Sequence, residues 1–194
     1  EGSGTTAFDG SAYGDHGAVH SASWVAGISG GALSFSGGDG SYVEIADAPQ
    51  LTPAAGVEIE AWVKPRAYSA PYMAVVYKGD GVATGCWGER SYSLWVRSDG
   101  GIHFAATPDG EACQRYFDTA PGLVPTGQWT QIRVVLDSAQ GRVLIYVNSA
   151  VALDNPYPQT PVRDGDQPLR IGGMFRSHGN QGHFDGAIDG VVLR

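Results

Sequence analysis

The sequence has little charge and no long apolar segment. Only 16% of its 194 residues are Asp, Glu, Lys or Arg, below the globular average of about 25%, which argues against long solvated helices. No apolar run approaches about 20 residues, the length needed to cross a bilayer, so we expect no membrane insertion. The 12 Lys and Arg against 20 Asp and Glu give a net charge of −8. Without a basic cluster, we expect no nucleic-acid binding.

Glycine and proline are abundant and spread along the whole chain. There are 29 Gly and 11 Pro residues, while hydrophobic residues make up 42% and aromatic residues 10%. This apolar content excludes disorder as the main state, and the frequent turn residues are typical of an all-β protein. The length predicts one domain, residues 1–194, with a core of its own.

Short alternating runs between turn residues predict the strands. Their starts are roughly 8–15 residues apart, which favours a two-sheet antiparallel β-sandwich or jelly roll. Only residues 47–51 have a pattern compatible with a helical turn. The predicted strands are residues 32–36, 42–45, 57–64, 73–78, 92–97, 102–106, 129–136, 142–147, 169–171 and 187–193.

The runs at 92–97 and 102–106 predict a hairpin around an Asp-Gly-Gly turn. Leu94 and Val96 must share a face with Ile102 and Phe104, which favours an odd-length turn with a glycine in the left-handed region. In the hairpin of residues 130–147, alternate positions are likewise expected to face the core, namely Ile132, Val134 and Leu136 with Val143, Ile145 and Val147.

The two cysteines flank the first hairpin. Chain reversal brings Cys86 and Cys113 to the same end of it, so we expect a disulfide that closes the flanking loops. The alternative is two unrelated buried thiols, since no Cys-x-x-Cys spacing points to a metal or catalytic role. A disulfide implies a secreted, extracellular protein.

Alternation also predicts a polar face that combines rings with charged groups. Such a combination suits sugars, because rings stack on C–H faces while charged groups take hydroxyl hydrogen bonds. The alternative is a second layer of structure, against which the two tryptophans simply pack. The candidate ligand-binding residues on this face are Trp62, Trp95, Arg97 and His103, beside Glu58 and Glu60.

Two glycine-rich loops supply further candidates. Trp87 and Arg90 lie in residues 85–90, next to the expected disulfide, and Arg176 and His178 lie in residues 173–180. Loops on rigid sandwiches often bind ligands, and a disulfide would preorganise the first loop. The alternative for Trp87 is that it covers the disulfide.

Several segments together resemble laminin-G-like jelly rolls of the concanavalin A-like lectin/glucanase superfamily, in particular their bacterial branch. These segments are residues 1–10 (EGSGTTAFDG), 15–17 (DHG), 24–27 (WVAG), 30–35 (GGALSF), 42–45 (YVEI), 57–65 (VEIEAWVKP), 127–130 (GQWT) and 184–191 (FDGAIDGV). The fold hosts lectins, glycosidases, lyases and adhesion modules, so the resemblance specifies architecture more than function. A further strand usually precedes this pattern, so we expect a module of a longer multidomain protein.

The resemblance implies a structural calcium ion. Asp9 and Asp189 are the positions that match its ligands, and Asp39 in the loop 36–40 is a further candidate. Calcium takes 6–8 oxygen ligands, commonly carboxylates mixed with backbone carbonyls of irregular loops. The alternative is that these carboxylates cap turns through their own backbone.

The expected function is that of a non-catalytic, lectin-like carbohydrate-binding module of a secreted bacterial protein. We expect this module to be a monomer within a multidomain chain and to have a polysaccharide or glycan as its partner. One alternative is a protein-binding adhesion module. Another is a polysaccharide hydrolase or lyase that uses Glu58 and Glu60, whose carboxylates at i and i+2 would lie roughly 7 Å apart. Related glucanases place a third acidic residue where this sequence has Trp62, which argues against retaining hydrolysis.

Overall fold

The computed structural model describes residues 2–79, 90–175 and 181–194. Within these ranges the chain forms sixteen strands and one short 3-10 helix, Pro49–Leu51, and no described helix has the length and hydropathy to traverse a bilayer. The strands are β1 Thr6–Ala7, β2 Gly17–His20, β3 Ser23–Ala26, β4 Gly31–Ser36, β5 Tyr42–Ile45, β6 Gly56–Pro65, β7 Tyr72–Gly79, β8 Arg90–Arg97, β9 Ile102–Ala106, β10 Arg115–Asp118, β11 Thr130–Asp137, β12 Arg142–Val147, β13 Ala150–Pro156, β14 Leu169–Ile171, β15 Gln181–His183 and β16 Asp185–Leu193.

The strands pair into two sheets, which confirms the predicted all-β sandwich. A nine-stranded sheet has the order β1-β2-β5-β14-β7-β8-β9-β10, with β15 also pairing to β7. A seven-stranded sheet has the order β13-β12-β11-β6-β16-β4-β3. Neighbouring strands are antiparallel, except that β15 runs parallel to β7. The first and last strands therefore lie in different sheets.

The core lies between the two sheets and follows from alternation. In β6, Val57, Ile59, Ala61 and Val63 are at most 2% exposed, whereas the side chains between them are half-buried on the outer face. The expected inward side chains of β11 and β12 are buried in the same core. A pleated strand points successive side chains to opposite faces, so one apolar face per strand is enough to define the sandwich.

The β8–β9 hairpin has the predicted register. Leu94 pairs with Phe104 and Val96 with Ile102, so the turn of residues 98–100 has three residues. Gly100 occupies the left-handed region there, with φ +76°, as an odd-length turn requires. The hairpin prediction is confirmed.

Several short strands were not predicted from the sequence. β3 is mostly exposed, and β10 buries only Phe117. β13 is also exposed along most of its length and ends at Pro156. Each of these strands ends one of the sheets, and so few of its side chains reach the core that one face carries no run of apolar residues.

Candidate functional site

The two halves of the predicted polar face lie on different sheets. Glu58, Glu60 and Trp62 project from β6 of the seven-stranded sheet, whereas Arg97 and His103 belong to β8 and β9 of the nine-stranded sheet. The outer faces of the two sheets point in opposite directions because the core lies between them. The expectation of one combined surface is therefore corrected to two surfaces, here called the nine-strand face and the seven-strand face.

Trp95 and Arg90 form part of a second, smaller core on the nine-strand face. Trp95 is fully buried and packs with Met174 and Tyr77, whose ring it meets edge-to-face at 5.7 Å. The Arg90 guanidinium lies 5.4 Å from the Tyr77 ring and 5.6 Å from the Trp95 ring, and burial lowers its pKa. Trp95 is thus a packing residue, as the alternative interpretation held, and offers no exposed ring to a ligand.

Arg97 and His103 remain together, beside two carboxylates. Arg97 donates from Nη1 to Asp118 Oδ1 at 2.9 Å and from Nε and Nη2 to the two Asp99 oxygens at 3.1 and 2.5 Å. His103 pairs directly with Asp118 across β9 and β10, and its Nδ1 lies 3.0 Å from Asp118 Oδ1. The turn backbone supports Asp99, since the Gly101 N–H donates to Oδ1 at 2.8 Å.

Two tyrosines flank His103. The Tyr72 ring meets His103 edge-on at 5.1 Å, and the Tyr116 ring stacks on its other side at 6.2 Å with 23° between the planes. Tyr116 is 66% exposed. Tyr72, His103 and Tyr116, here called the aromatic row, therefore present one accessible ring next to the Arg97 cluster.

Hydrogen bonds hold the carboxylates of this cluster ionised. The Arg97 guanidinium lowers the pKa of Asp99, and the hydrogen bond with His103, followed by that with Arg97, lowers the pKa of Asp118. In turn, the hydrogen bonds to Asp99 and then Asp118 raise the pKa of Arg97. Two carboxylates thus face one guanidinium, so oxygen acceptors remain for hydroxyl donors of a ligand.

Sequence reasoning identified Arg97 and His103 but missed Tyr72, Tyr116 and Asp118. The last two lie on β10, which alternation did not reveal. The available signal was the Arg-Tyr-Phe-Asp segment at 115–118, in which Tyr and Asp flank one apolar residue. That spacing places Tyr116 and Asp118 on the face opposite Phe117.

The seven-strand face holds a shallow depression of about 320 Å³. Arg133 Nε donates to Glu58 Oε1 at 2.9 Å, and Gln131 Nε2 donates to Glu60 Oε1 at 2.7 Å. The Arg133 hydrogen bond lowers the pKa of Glu58, which is the reverse of what a general acid of a glycosidase needs. Trp62 is half-buried on this face. The depression is lined by Glu58, Glu60, Gln131, Arg133, Tyr146, Ser149 and Arg194.

Asp9 and Asp189 accept hydrogen bonds from nearby donors. Asp9 accepts from Ser11 N–H at 2.8 Å, Ser11 Oγ at 2.5 Å and Asp15 N–H at 3.0 Å. The Ser11 side chain is the main cause of the lowered pKa of Asp9. Asp189 accepts from Ile28 N–H at 2.7 Å and thereby ties β16 to the β3–β4 turn.

The predicted calcium ligands do not come together with further ligands in the described part of the chain. Asp39 is 84% exposed at its side chain and lies 3.4 Å from His183 Nε2. No three His, Cys, Asp or Glu side chains among residues 2–79, 90–175 and 181–194 form a metal-binding group. The observed bonds of Asp9 and Asp189 fit turn capping, so calcium remains a prediction from the resemblance alone.

Four candidate residues, Cys86, Trp87, Arg176 and His178, lie outside the described residues. Cys113 is described and exposed. Its disulfide with Cys86 therefore stays a prediction, as does secretion.

The architecture defines a lectin-type β-sandwich, and comparison with known proteins identifies the family. A laminin-G family model, described as the concanavalin A-like lectin/glucanases superfamily, matches residues 36–193. This chain belongs to that superfamily. Comparison with curated proteins finds no match.

Solved structures share the fold at low sequence identity. Domain 4 of AbnA, a GH43 extracellular arabinanase from Geobacillus stearothermophilus solved with arabinotriose, has 17% identity and a TM-score of 0.59 over 89% of this chain and 74% of its own. The Ruminococcus gnavus IT-sialidase CBM40, bound to α2,3-sialyllactose, has 14% identity and a TM-score of 0.66 over 84% and 88%. The botulinum neurotoxin serotype D ligand-binding domain, in complex with N-acetylneuraminic acid, has 11% identity and a TM-score of 0.70 over 96% and 44%. These values show a common fold, and this chain spans less than half of the neurotoxin domain.

Proposed function

We propose that this chain is a non-catalytic carbohydrate-binding module that binds glycans on the nine-strand face. The observation that carries the proposal is the exposed Tyr116 ring, stacked on His103 beside the ion-paired Arg97 and Asp118. A ring of this kind covers the apolar face of a sugar, while the neighbouring carboxylates accept hydrogen bonds from its hydroxyl groups. The rigid strands β8, β9 and β10 hold these groups in position before a ligand arrives, which reduces the entropy cost of binding.

The structural neighbours support this choice. Two of them are solved with oligosaccharides and one with a sialic acid. The alternatives are less well supported by the site. An adhesion module would have the same fold but would bind a protein in place of a sugar. A hydrolase would need Glu58 or Glu60 in the protonated form, whereas the Arg133 hydrogen bond lowers the pKa of Glu58.

A glycan array with three purified proteins tests the proposal. We expect wild type to bind at least one glycan class and Tyr116→Ala to lose about tenfold or more in affinity, because truncation of a central aromatic contact is usually costly. Tyr13→Ala is the matched control: Tyr13 is 70% exposed and lies between β1 and β2, at the opposite end of the nine-stranded sheet. Wild type that binds no glycan, or equal binding by all three proteins, would refute the proposal.

The hydrolase alternative has its own test. A polysaccharide panel is incubated with wild type and Glu60→Gln, and reducing ends are measured. We expect no cleavage by either protein. Cleavage by wild type that is lost in Glu60→Gln would replace the binding proposal with catalysis in the seven-strand depression.

Secretion, a structural calcium ion and a place as a monomeric module in a larger bacterial protein complete the proposal. These points derive from the family resemblance and from the expected disulfide. A disulfide between Cys86 and Cys113 would be found by peptide mapping under non-reducing conditions, and two free thiols would remove the basis for secretion.

A further inference from the structure

A groove runs beside the aromatic row at the edge of the sandwich. β10 ends the nine-stranded sheet and β13 ends the seven-stranded sheet, and the two edge strands approach each other there. The groove has a volume of about 540 Å³, within the range of small-molecule sites. Its base is formed by Phe117 and Tyr157, which are 6 and 5% exposed and whose rings are 6.3 Å apart.

Tyr116 belongs both to the groove and to the aromatic row. It lines the groove, while its ring stacks on His103 of the nine-strand face. The Thr119 N–H donates to the Ile102 carbonyl across β9 and β10. By the alternation of an antiparallel pair, the peptide groups of Tyr116 then point away from β9, toward the free edge. The face and the groove thus form one continuous surface that turns at Tyr116.

The groove walls combine apolar surface with hydrogen-bonding groups. Pro156 and Pro158 line one wall, and Gln114 and Arg115 the other. The half-exposed Arg115 side chain and the peptide groups of Tyr116 at the free edge supply the hydrogen-bonding groups, whereas Gln114 Oε1 and Tyr157 Oη are buried beneath the groove surface. Flat apolar rings with a few polar atoms are what a sugar chain needs along its length.

The charges of this surface favour a neutral ligand. Arg97 lies between Asp99 and Asp118, and Arg115 Nη2 donates to Glu111 Oε2 at 2.6 Å. Both cations on this surface, within the described residues, are therefore already paired with carboxylates. An acidic sugar would have to displace a carboxylate and would also be repelled by the net charge of −8.

We infer that the ligand is an extended neutral oligosaccharide that continues from the aromatic row into the groove. This inference rests on the proposed function and specifies its ligand. One sugar ring lies against Tyr116 on the nine-strand face, and the following units lie in the groove against Pro156, Tyr157 and Pro158. Such a surface binds longer oligosaccharides more tightly, because the sugar units beyond the first make the contacts with the groove.

Isothermal titration calorimetry with sugars of increasing length tests the inference. The probes are the monosaccharide to hexasaccharide series of α-1,5-arabinan, β-1,4-xylan, β-1,4-glucan and β-1,4-mannan. For at least one series, we expect wild type to bind the hexasaccharide about tenfold or more tightly than the monosaccharide, a difference equivalent to about 1.4 kcal/mol.

Variants distinguish the groove from the face. Arg115 is 53% exposed at its side chain, so Arg115→Ala should leave the fold intact. We expect it to weaken hexasaccharide binding about three- to tenfold and to change monosaccharide binding less than twofold. His103→Ala should weaken all lengths by a similar factor, because it removes the support of Tyr116, and Tyr13→Ala should change none.

Three outcomes would overturn the inference and leave the proposed function standing, provided that the array shows a bound glycan. These are affinities independent of chain length, equal length dependence in wild type and Arg115→Ala, and binding restricted to sialylated or uronic acid glycans. The absence of any glycan binding on the array would instead refute the proposed function itself.

Discussion

Asp118 connects the chemistry of the candidate site to the stability of the protein. The hydrogen bond with His103 and the pair with Arg97 lower its pKa in the folded state, relative to about 3.9 in an unfolded chain. The carboxylate therefore contributes to stability above about pH 4, and this contribution is lost as the pH falls through the folded pKa, because the unfolded chain takes up the proton first. The side chain is 37% exposed, so its contribution is small, about 0.2–1 kcal/mol.

Urea denaturation between pH 2.5 and 6 measures this effect. Above pH 5 we expect Asp118→Asn to be less stable than wild type by about 0.2–1 kcal/mol, and near pH 2.5 we expect the two to converge. The exposed Asp166→Asn serves as the control. A stability difference that is the same at every pH would mean that Asp118 acts through packing and not through its charge.

At the scale of single residues, the sequence was most informative where alternation was strong. It assigned Arg97 and His103 to an outer face correctly, because each directly follows an inward-facing apolar residue, Val96 and Ile102, and both are the partly exposed positions of their strands. It gave Trp95 the same outward direction, also correctly, but alternation carries no information on a further layer. Met174 covers Trp95, and Met174 is 79 positions away in the chain. Tyr116 was missed because its strand is an edge.

Among the elements, the β8–β9 turn determines where Asp99 is placed in the site. Gly100 has φ +76°, and a Cβ atom there would lie 2.9 Å from Tyr68 Oη and 3.2 Å from Gly122 Cα. Tyr68 Oη donates to the Val124 carbonyl at 2.7 Å, so it cannot move away without loss of a hydrogen bond. The turn therefore requires glycine for its backbone conformation and for the space around it.

Alanine substitutions at two glycines separate these requirements. Gly110 has the same φ of +76°, but a Cβ atom there would meet no heavy atom within 4 Å. We expect Gly110→Ala to cost about 1 kcal/mol of unfolding free energy for the left-handed backbone, and Gly100→Ala about 2–3 kcal/mol for the backbone and the crowding together. Urea denaturation of both variants gives the comparison. Equal costs would show that the contact with Tyr68 has no energetic consequence.

For the whole molecule, the fold was predictable and the arrangement of its sheets was not. Alternation is a local property, so it showed that β6 and β8 each have an outer face, but not that these faces belong to different sheets. That assignment depends on pairing between distant segments, such as β6 with β16 and β7 with β14. The combined site expected from Trp62 and Arg97 failed for this reason.

The two ends of the chain provide the last prediction, because a calcium ion held by Asp9 and Asp189 would link the two sheets. Asp9 follows β1 of the nine-stranded sheet, and Asp189 lies in β16 of the seven-stranded sheet. An ion that binds only the folded state at a concentration of 100 times its Kd adds about 2.7 kcal/mol. For a chain of this length, that gain raises Tm by about 5–10 °C.

We expect this rise when melting in excess calcium is compared with melting in EDTA, and we expect Asp189→Asn to lose it. The variant should also be less stable than wild type in EDTA, because the bonds from the β3–β4 turn to Asp189 weaken. The exposed Asp109→Asn is the control. Identical melting of wild type in calcium and in EDTA would show that Asp9 and Asp189 only cap their turns, and the two sheets would then be joined by their apolar core without an ion.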